Sequence, residues 1–378
     1  MKSIFFLRAN VIFLNHGSFG ACPMPVMKEY QNRQIELEQQ PVEFMDRRHD
    51  ELLSAARACL GNYLGCERDD IVYVPNATTG VNSVARSLPL KPGDEVLMSD
   101  QEYGALEKMW KFRCEETGAK LVKAKIPLPL SNSQEIVEAM LNSVTPATRV
   151  VFMSHISSAT ALIFPVKEIV EALRGKNIYT VIDAAHAPGQ IPVNISDINP
   201  DFYTGNCHKW MMAPKGTAFL YARKDMQDLL VPSVISWGMT HKMPTQSRFI
   251  DEFEYQGTRD ISGFLAVPAA IKFMKFHDWE AISNKCHNLV LETKNRMEKV
   301  KGMESIYPSD SSLIKQMASV KLPVTAPLDL KQRLYDEFNI EIPVFSHNDE
   351  RFIRVSINGY NTLGDLDILI EALHHFLD

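Results

Sequence analysis

The sequence is poor in the features that mark membrane, nucleic-acid and metal-binding proteins. Over 378 residues no uninterrupted apolar stretch approaches the ~20 residues that span a bilayer, so a crossing helix is not expected. There is no long basic block, and 40 Lys and Arg stand against 46 Asp and Glu, a formal charge of −6. A polyanionic partner, whether nucleic acid or an acidic membrane, is therefore disfavoured, and small molecules are the expected partners. Cys22, Cys59, Cys66, Cys114, Cys207 and Cys286 are scattered, with no CxxC pair and no zinc-type spacing. Disulfides and a metal site are not expected, and free thiols fit a reducing, cytoplasmic compartment. Neither a Walker lysine motif nor GxGxxG occurs, which argues against nucleoside triphosphates and dinucleotides. Internal repeats and low-complexity tracts are absent too.

What is present is an ordinary globular composition, 45% hydrophobic and 23% charged, with enough chain for two domains. The opening MKSIFFLRANVIFL is interrupted by Arg8 and Asn10 and has no small-residue cleavage site after it, so it reads as a strand leading into the fold. From 70 to 222, short β-branched or aromatic runs alternate with segments of helical period, the pattern of crossover units and a mainly parallel sheet. Strands are predicted at 71–74, 95–98, 120–124, 150–154, 179–182, 201–205 and 217–221. Helices are predicted at 78–86, 105–117, 133–143 and 167–173, with two earlier ones, 25–39 and 46–63, joined at Pro41. Residues 237–258 form a poorly periodic connection. Beyond it, 264–299, 328–337 and 363–377 read as helices and 353–357 as a strand, giving an α/β architecture with a smaller C-terminal unit.

Several predicted strands end in polar clusters, VPNATTG, MSDQEYG, MSHISSAT, VIDAAHAPGQ and TGNCHKW, which a parallel sheet gathers at one crevice. Asp183 ends an apolar strand, and an acid there needs a cation or several donors. It serves either as a turn cap or as an acid aimed at a protonated ring nitrogen. Lys209, between His208 and Trp210, is the candidate amine nucleophile, because a desolvated lysine near other cations loses proton affinity; the competing reading is a snorkelling surface lysine. Lys215 reads as structural or solvent-facing. Asn76 or Thr78 can cap the helix after 71–74, and the freed amides with the Thr78 and Thr79 hydroxyls make an anion cradle.

An acid for a pyridinium, an amine for an aldehyde and a cradle for a monophosphate, at the ends of neighbouring strands, are what pyridoxal phosphate requires. The order NATTG, EYGA, DAAHAPGQ, GNCHKWMMAPKG, YQGTRD and RVSINGYNT resembles the class V aminotransferases of fold type I, and among them the isopenicillin N epimerase-like branch. The likeness runs from about Leu14, in LNHGSFGACP, to the C-terminus.

That resemblance implies a cytoplasmic homodimer of fold type I. Its parts would be an N-terminal segment 1–20, a large cofactor-binding domain 21–260 with a mainly parallel sheet between helices, and a smaller C-terminal α/β domain 261–378, on which the N-terminal helices could pack. It further implies that Lys209 holds pyridoxal 5'-phosphate covalently and shuttles the substrate α-proton, Asp183 pairs with the pyridine nitrogen, His186 hydrogen-bonds the phenolic oxygen and Tyr103 stacks on the ring. Thr78, Thr79, Asn206 and His208 would bind the phosphate, with Thr258 reaching the phosphate of the neighbouring subunit. Arg354 would grip the substrate α-carboxylate, against the plainer reading of a strand-edge arginine paired to Glu341 or Asp349. Asn15 and Ser157 would add polar contacts. Arg47 and Arg48 would meet a second acidic group of the substrate or lie on an exposed helix face.

Two departures bound what carries over. Position 161 is Ala where many relatives have Gly, and the loop VFSHNDERF before Arg354 has no cysteine, so desulfurase-type persulfide chemistry is not expected. The expected activity is epimerisation or carbon–sulfur lysis of an amino acid. True transamination is the alternative and a non-catalytic, cofactor-binding relative the second. His16 and Tyr103 are the candidate proton donors opposite Lys209.

Overall fold

The computed structural model describes residues 1–240, 247–308 and 311–378. Strand β1 (Ile12–Phe13) and helix α1 (His16–Phe19) precede two 16-residue helices, α2 (Met24–Gln39) and α3 (His49–Leu64). The alternating block follows: β2 (Ile71–Val74), α4 (Ala77–Ser87), β3 (Glu95–Ser99), α5 (Gly104–Thr117), β4 (Lys120–Ala124), α6 (Gln134–Asn142) and β5 (Thr148–Ser154). It continues through α7 (Val166–Leu173), β6 (Tyr179–Asp183), α8 (Ile195–Ile198), β7 (Phe202–Asn206) and β8 (Ala218–Ala222). Then come α9 (Arg248–Glu254), α10 (Ser262–Leu265), α11 (Val267–Phe276), α12 (Trp279–Met297), β9 (Glu304–Ser305) and β10 (Met317–Lys321). The chain closes with α13 (Leu330–Phe338), β11 (Ile340–Glu341), β12 (Val344–His347), β13 (Glu350–Ser356) and α14 (Leu363–Leu377).

The main sheet has the order β2-β8-β7-β6-β5-β3-β4, and only β8 runs against the others. Six carboxyl ends therefore open at one edge. Strands β2, β7 and β8 are buried at every position, which is why they read as apolar runs without alternation. Alternate residues feed two cores: Tyr73, Leu97, Val151, Ile182 and Tyr203 go to one, and Val72, Val96, Val150, Val181 and Phe202 to the other. The predicted α/β fold with a mainly parallel sheet is what is found.

A second, antiparallel sheet, β12-β13-β10-β9, lies in the C-terminal part and carries Arg354 opposite Ser319. The segment 1–20 is fastened to this part, because β1 pairs in parallel with β11 and Asn15 bridges to Ser356. Helices α2 and α3 pack against α10 and α11, while Phe264 of α10 stacks on Tyr73 of β2 at 4.9 Å.

Four local readings differ. The opening run is a 3-10 turn (Lys2–Ile4) followed by a single antiparallel bridge of Phe5 to Pro23, and its one strand is Ile12–Phe13. The expected helix 264–299 is three helices: Pro268 at the start of α11 cannot donate into the preceding turn, and Asp278, at φ 49°, takes a left-handed conformation that stops the chain before α12. Gln40, non-helical before Pro41, ends α2, and a π turn at Glu43–Arg47 leads on toward α3. The connection 237–258 contains α9, whose buried Glu254 pairs with buried Arg57 of α3; its residues 241–246 lie outside the described ones.

Candidate active site

A cavity of about 290 Å³ opens at the carboxyl ends of β2, β5, β6 and β7, lined among others by Thr78, Tyr103, Ser158, Asp183, His186 and Lys209. Strand β6 delivers Asp183 at its last position, buried to 4% exposure. The carboxylate takes the amide of Ala185 at 2.9 Å, and no ion pair meets it among the described residues. Burial consequently raises its pKa. Lys209 sits in the turn after β7, and its Nζ lies 3.0 Å from Nε2 of His186. Its pKa is lowered to about 8, chiefly by burial. Lys215, six residues on, is exposed, as expected.

His186 is buried and neutral, its pKa held well below the ordinary value by desolvation first and by Lys209 next. The indole N–H of Trp210 donates to its Nδ1 at 3.2 Å. The loop that bears His186 can close over Trp210 because Gly189, at φ 87°, has no side chain; a Cβ there would lie 2.4 Å from the Trp210 carbonyl carbon.

The cradle at the start of α4 is smaller than the sequence suggests. Asn76 caps the helix and accepts both the amide and the hydroxyl of Thr79, at 2.8 and 3.0 Å. Thr79 is thereby committed to the cap and does not line the cavity; Thr78 does, and no hydrogen bond engages its amide or hydroxyl among the described residues. Asn206 accepts the amide of Ala77 at 2.9 Å, tying β7 to α4. His208 donates from Nδ1 to the Thr217 carbonyl at 2.8 Å, and burial lowers its pKa to about 4.

Arg354 is buried on β13, and its pKa is lowered to about 10 by desolvation. It donates to the carbonyl and hydroxyl of Ser158 and to the Ser18 hydroxyl, while its Nε is buried without a partner among the described residues. The edge-arginine reading fails, because Glu341 instead accepts from Asn15 at 3.3 Å and no carboxylate pairs with Arg354 among the described residues.

Several expected contacts are relocated. Ser157 is wholly buried and bonds Thr160 and the Leu162 amide, closing its own loop, so the neighbouring Ser158 lines the cavity in its place. Asn15 is likewise turned inward to Glu341 and Ser18 rather than into the cavity. His16 is fully buried, its ring nitrogens engaged by Tyr360, Asn358 and the Lys209 carbonyl, and it does not line the cavity opposite Lys209; desolvation lowers its pKa to about 3. Arg47 is exposed and is not among the residues lining the cavity, and Arg48 pairs with Glu36, as an outer helix face implies. Thr258 is exposed and does not line the cavity of its own chain. Among the lining residues that sequence reasoning missed, Ser18 and Phe19 come from the N-terminal segment. They arrive because Gly20 lets α1 press on the main chain of Lys209, where a Cβ would fall 2.2 Å from the His208 carbonyl oxygen.

An unpaired buried carboxylate, an amine of lowered proton affinity and an open helix start suit a ring cation, an aldehyde and a phosphate, which together define a fold type I pyridoxal-phosphate enzyme. The sequence model for "Aminotransferase class-V" matches residues 20–369, and the chain belongs to that family. It is 33% identical to an isopenicillin N epimerase of Amycolatopsis lactamdurans over 95% of this chain and 94% of that protein. A probable chloroplastic L-cysteine desulfhydrase of Arabidopsis thaliana is 28% identical over 96% of this chain and 82% of its own length. Among solved structures, the cystine C–S lyase C-DES, in complex with cysteine persulfide, superposes with a TM-score of 0.87 at 19% identity, over 98% of this chain and 99% of that one.

Proposed function

We propose that the protein takes the α-proton from a small amino acid with Lys209 and expels a sulfur group from its β-carbon. The observation that carries this is the Lys209 amine, the one lysine lining the cavity among the described residues, placed beside neutral His186. Elimination needs only one such proton carrier: the Cα–H and Cβ–S bonds break, Lys209 passes the proton to the leaving thiol, and water hydrolyses the three-carbon product to pyruvate and ammonia. The bound cofactor supplies an electron sink for the α-carbon. Asp183 would hold its ring nitrogen, His186 its phenolic oxygen, Tyr103 its face, and Thr78, Asn206 and His208 its phosphate. Arg354, steadied by Ser18 and Ser158, would fix the substrate carboxylate with two parallel hydrogen bonds. The named activities of the desulfhydrase and C–S lyase relatives agree with this outcome.

Epimerisation is the second reading, favoured by the 33% identity to an epimerase over nearly the full length. It needs another proton carrier, and Tyr103 is the lining residue able to serve. Incubation with cysteine and S-substituted cysteines in deuterated water separates the two. Pyruvate and free thiol establish elimination, an inverted α-deuterated amino acid without pyruvate establishes epimerisation, and no α-exchange with any amino acid refutes both.

We further propose a homodimer, supported by exposed Thr258, which the resemblance assigns to the neighbour's phosphate. Residues 21–260 would carry the cofactor and 261–378 the carboxylate grip, since Arg354 alone among the assigned site residues lies on the second sheet. Scattered free cysteines support a cytoplasmic location. Light scattering tests the dimer, and a monomer with full cofactor affinity would overturn it.

A further inference from the structure

Trp210 follows the amine-bearing Lys209 in sequence, and its side chain turns back under the site. It is fully buried, the His16 ring lies 4.8 Å away, and its Nε1–H donates to His186 Nδ1 at 3.2 Å. An indole nitrogen only donates, so Nδ1 must accept. A neutral imidazole that accepts at Nδ1 has its proton on Nε2, the atom 3.0 Å from the Lys209 amine.

We propose that Trp210 is a positioning residue, whose indole N–H locks His186 in the Nε2–H tautomer and makes the imidazole a one-way donor toward the Lys209 amine and the cofactor's phenolic oxygen. Protonating His186 would put two N–H groups face to face at Nδ1, so the same bond keeps His186 from serving as a proton shuttle and leaves that work to Lys209. Gly189 and His16 hold the indole in place, the first by letting the His186 loop close over it and the second by packing against its ring. The inference rests on the cofactor reading only for the oxygen that receives the bond; the tautomer does not depend on the reaction catalysed.

The experiment is nitrogen NMR on protein labelled at histidine and tryptophan, with and without cofactor, and with the His186 signals assigned by their loss in His186→Gln. The expected pattern is a protonated Nε2 and a bare Nδ1 coupled to the Trp210 indole nitrogen. Trp210→Phe, which keeps a ring and removes the donor, should replace this pattern by mixed tautomers. It should also lower kcat on the order of tenfold, with KM within about twofold, the scale at which an outer partner of a site histidine acts. Trp110→Phe is the control, since Trp110 is also fully buried but its Nε1 has no partner among the described residues. It should lower the melting temperature and leave the His186 signals in place. A proton on Nδ1 in the unsubstituted protein, or an unchanged pattern in Trp210→Phe, would overturn the proposal. If Trp210→Phe does not fold, the unsubstituted spectrum alone decides.

Discussion

The amine of Lys209 and Nε2 of His186 face each other at 3.0 Å across the end of the sheet, although 23 residues separate them in the chain. A neutral imidazole donor and an amine make a good pair only if the amine carries a free lone pair. That arrangement agrees with the lowered proton affinity of Lys209.

Capture of pyridoxal phosphate by the cofactor-free protein should follow the free amine. The rate is expected to rise with pH and level off above about 8, well short of the ordinary lysine value of 10.5. Because the folded value is the lower one, the unfolded chain binds more protons between about 8 and 10.5. Lys209 therefore adds to stability as pH rises through that window and costs most below it. Stopped-flow absorbance across pH reads the capture. Lys209→Ala should give no borohydride-trapped protein at any pH.

Asp183→Asn should have opposite effects on the two forms of the protein. Without cofactor, the buried carboxylate has one backbone bond and no ion pair among the described residues, and desolvation outweighs the attraction of Lys209, so a neutral amide of the same shape should stabilise the fold by about 1–3 kcal/mol near neutral pH. With cofactor, the ring nitrogen loses its anion, so affinity and turnover should fall. Thermal melts of both forms, with and without cofactor, check the crossing.

Arg354→Lys should raise KM for the amino acid by roughly ten- to a hundredfold, because a point charge cannot replace the guanidinium fork or keep both the Ser158 and Ser18 bonds. Ser158→Ala should act in the same direction and more weakly, whereas Ser157→Ala should act on stability, since Ser157 bonds only within its loop. Steady-state kinetics with a melt of each variant separates the neighbours.

Ala161 stands at φ 56°, in the left-handed region that costs an L residue roughly 1–2 kcal/mol. Ala161→Gly should stabilise the protein by about 0.5–1 kcal/mol, the relief being partly offset by a more flexible unfolded chain. Urea midpoints at equal slope measure it.

Glu254→Gln removes the anion from the buried pair that ties α9 to α3 and leaves the Arg57 cation only the half-exposed Asp69, 3.5 Å away. A loss of about 3–5 kcal/mol is expected, with the melting temperature falling at every pH near neutrality. A variant that melts with the parent would show that Asp69 or water compensates Arg57.

The strands of the main sheet and its parallel character were legible in the sequence, which also singled out Lys209 and Asp183, and through the family resemblance Arg354, as the candidate chemistry-bearing residues. These are legible because a strand buried on both faces must be apolar throughout, and because a charged group at its end must meet something. Side-chain direction and contacts distant in sequence were decided only by the tertiary structure. It put Ser158 rather than Ser157 in the cavity, spent Thr79 on a helix cap, buried His16 behind Lys209, brought Ser18 and Phe19 in from the N-terminus and set Trp210 against His186. Neighbouring residues of one type look alike in a sequence. Which of them faces a ligand depends on hydrogen bonds and packing supplied by segments tens to hundreds of positions away.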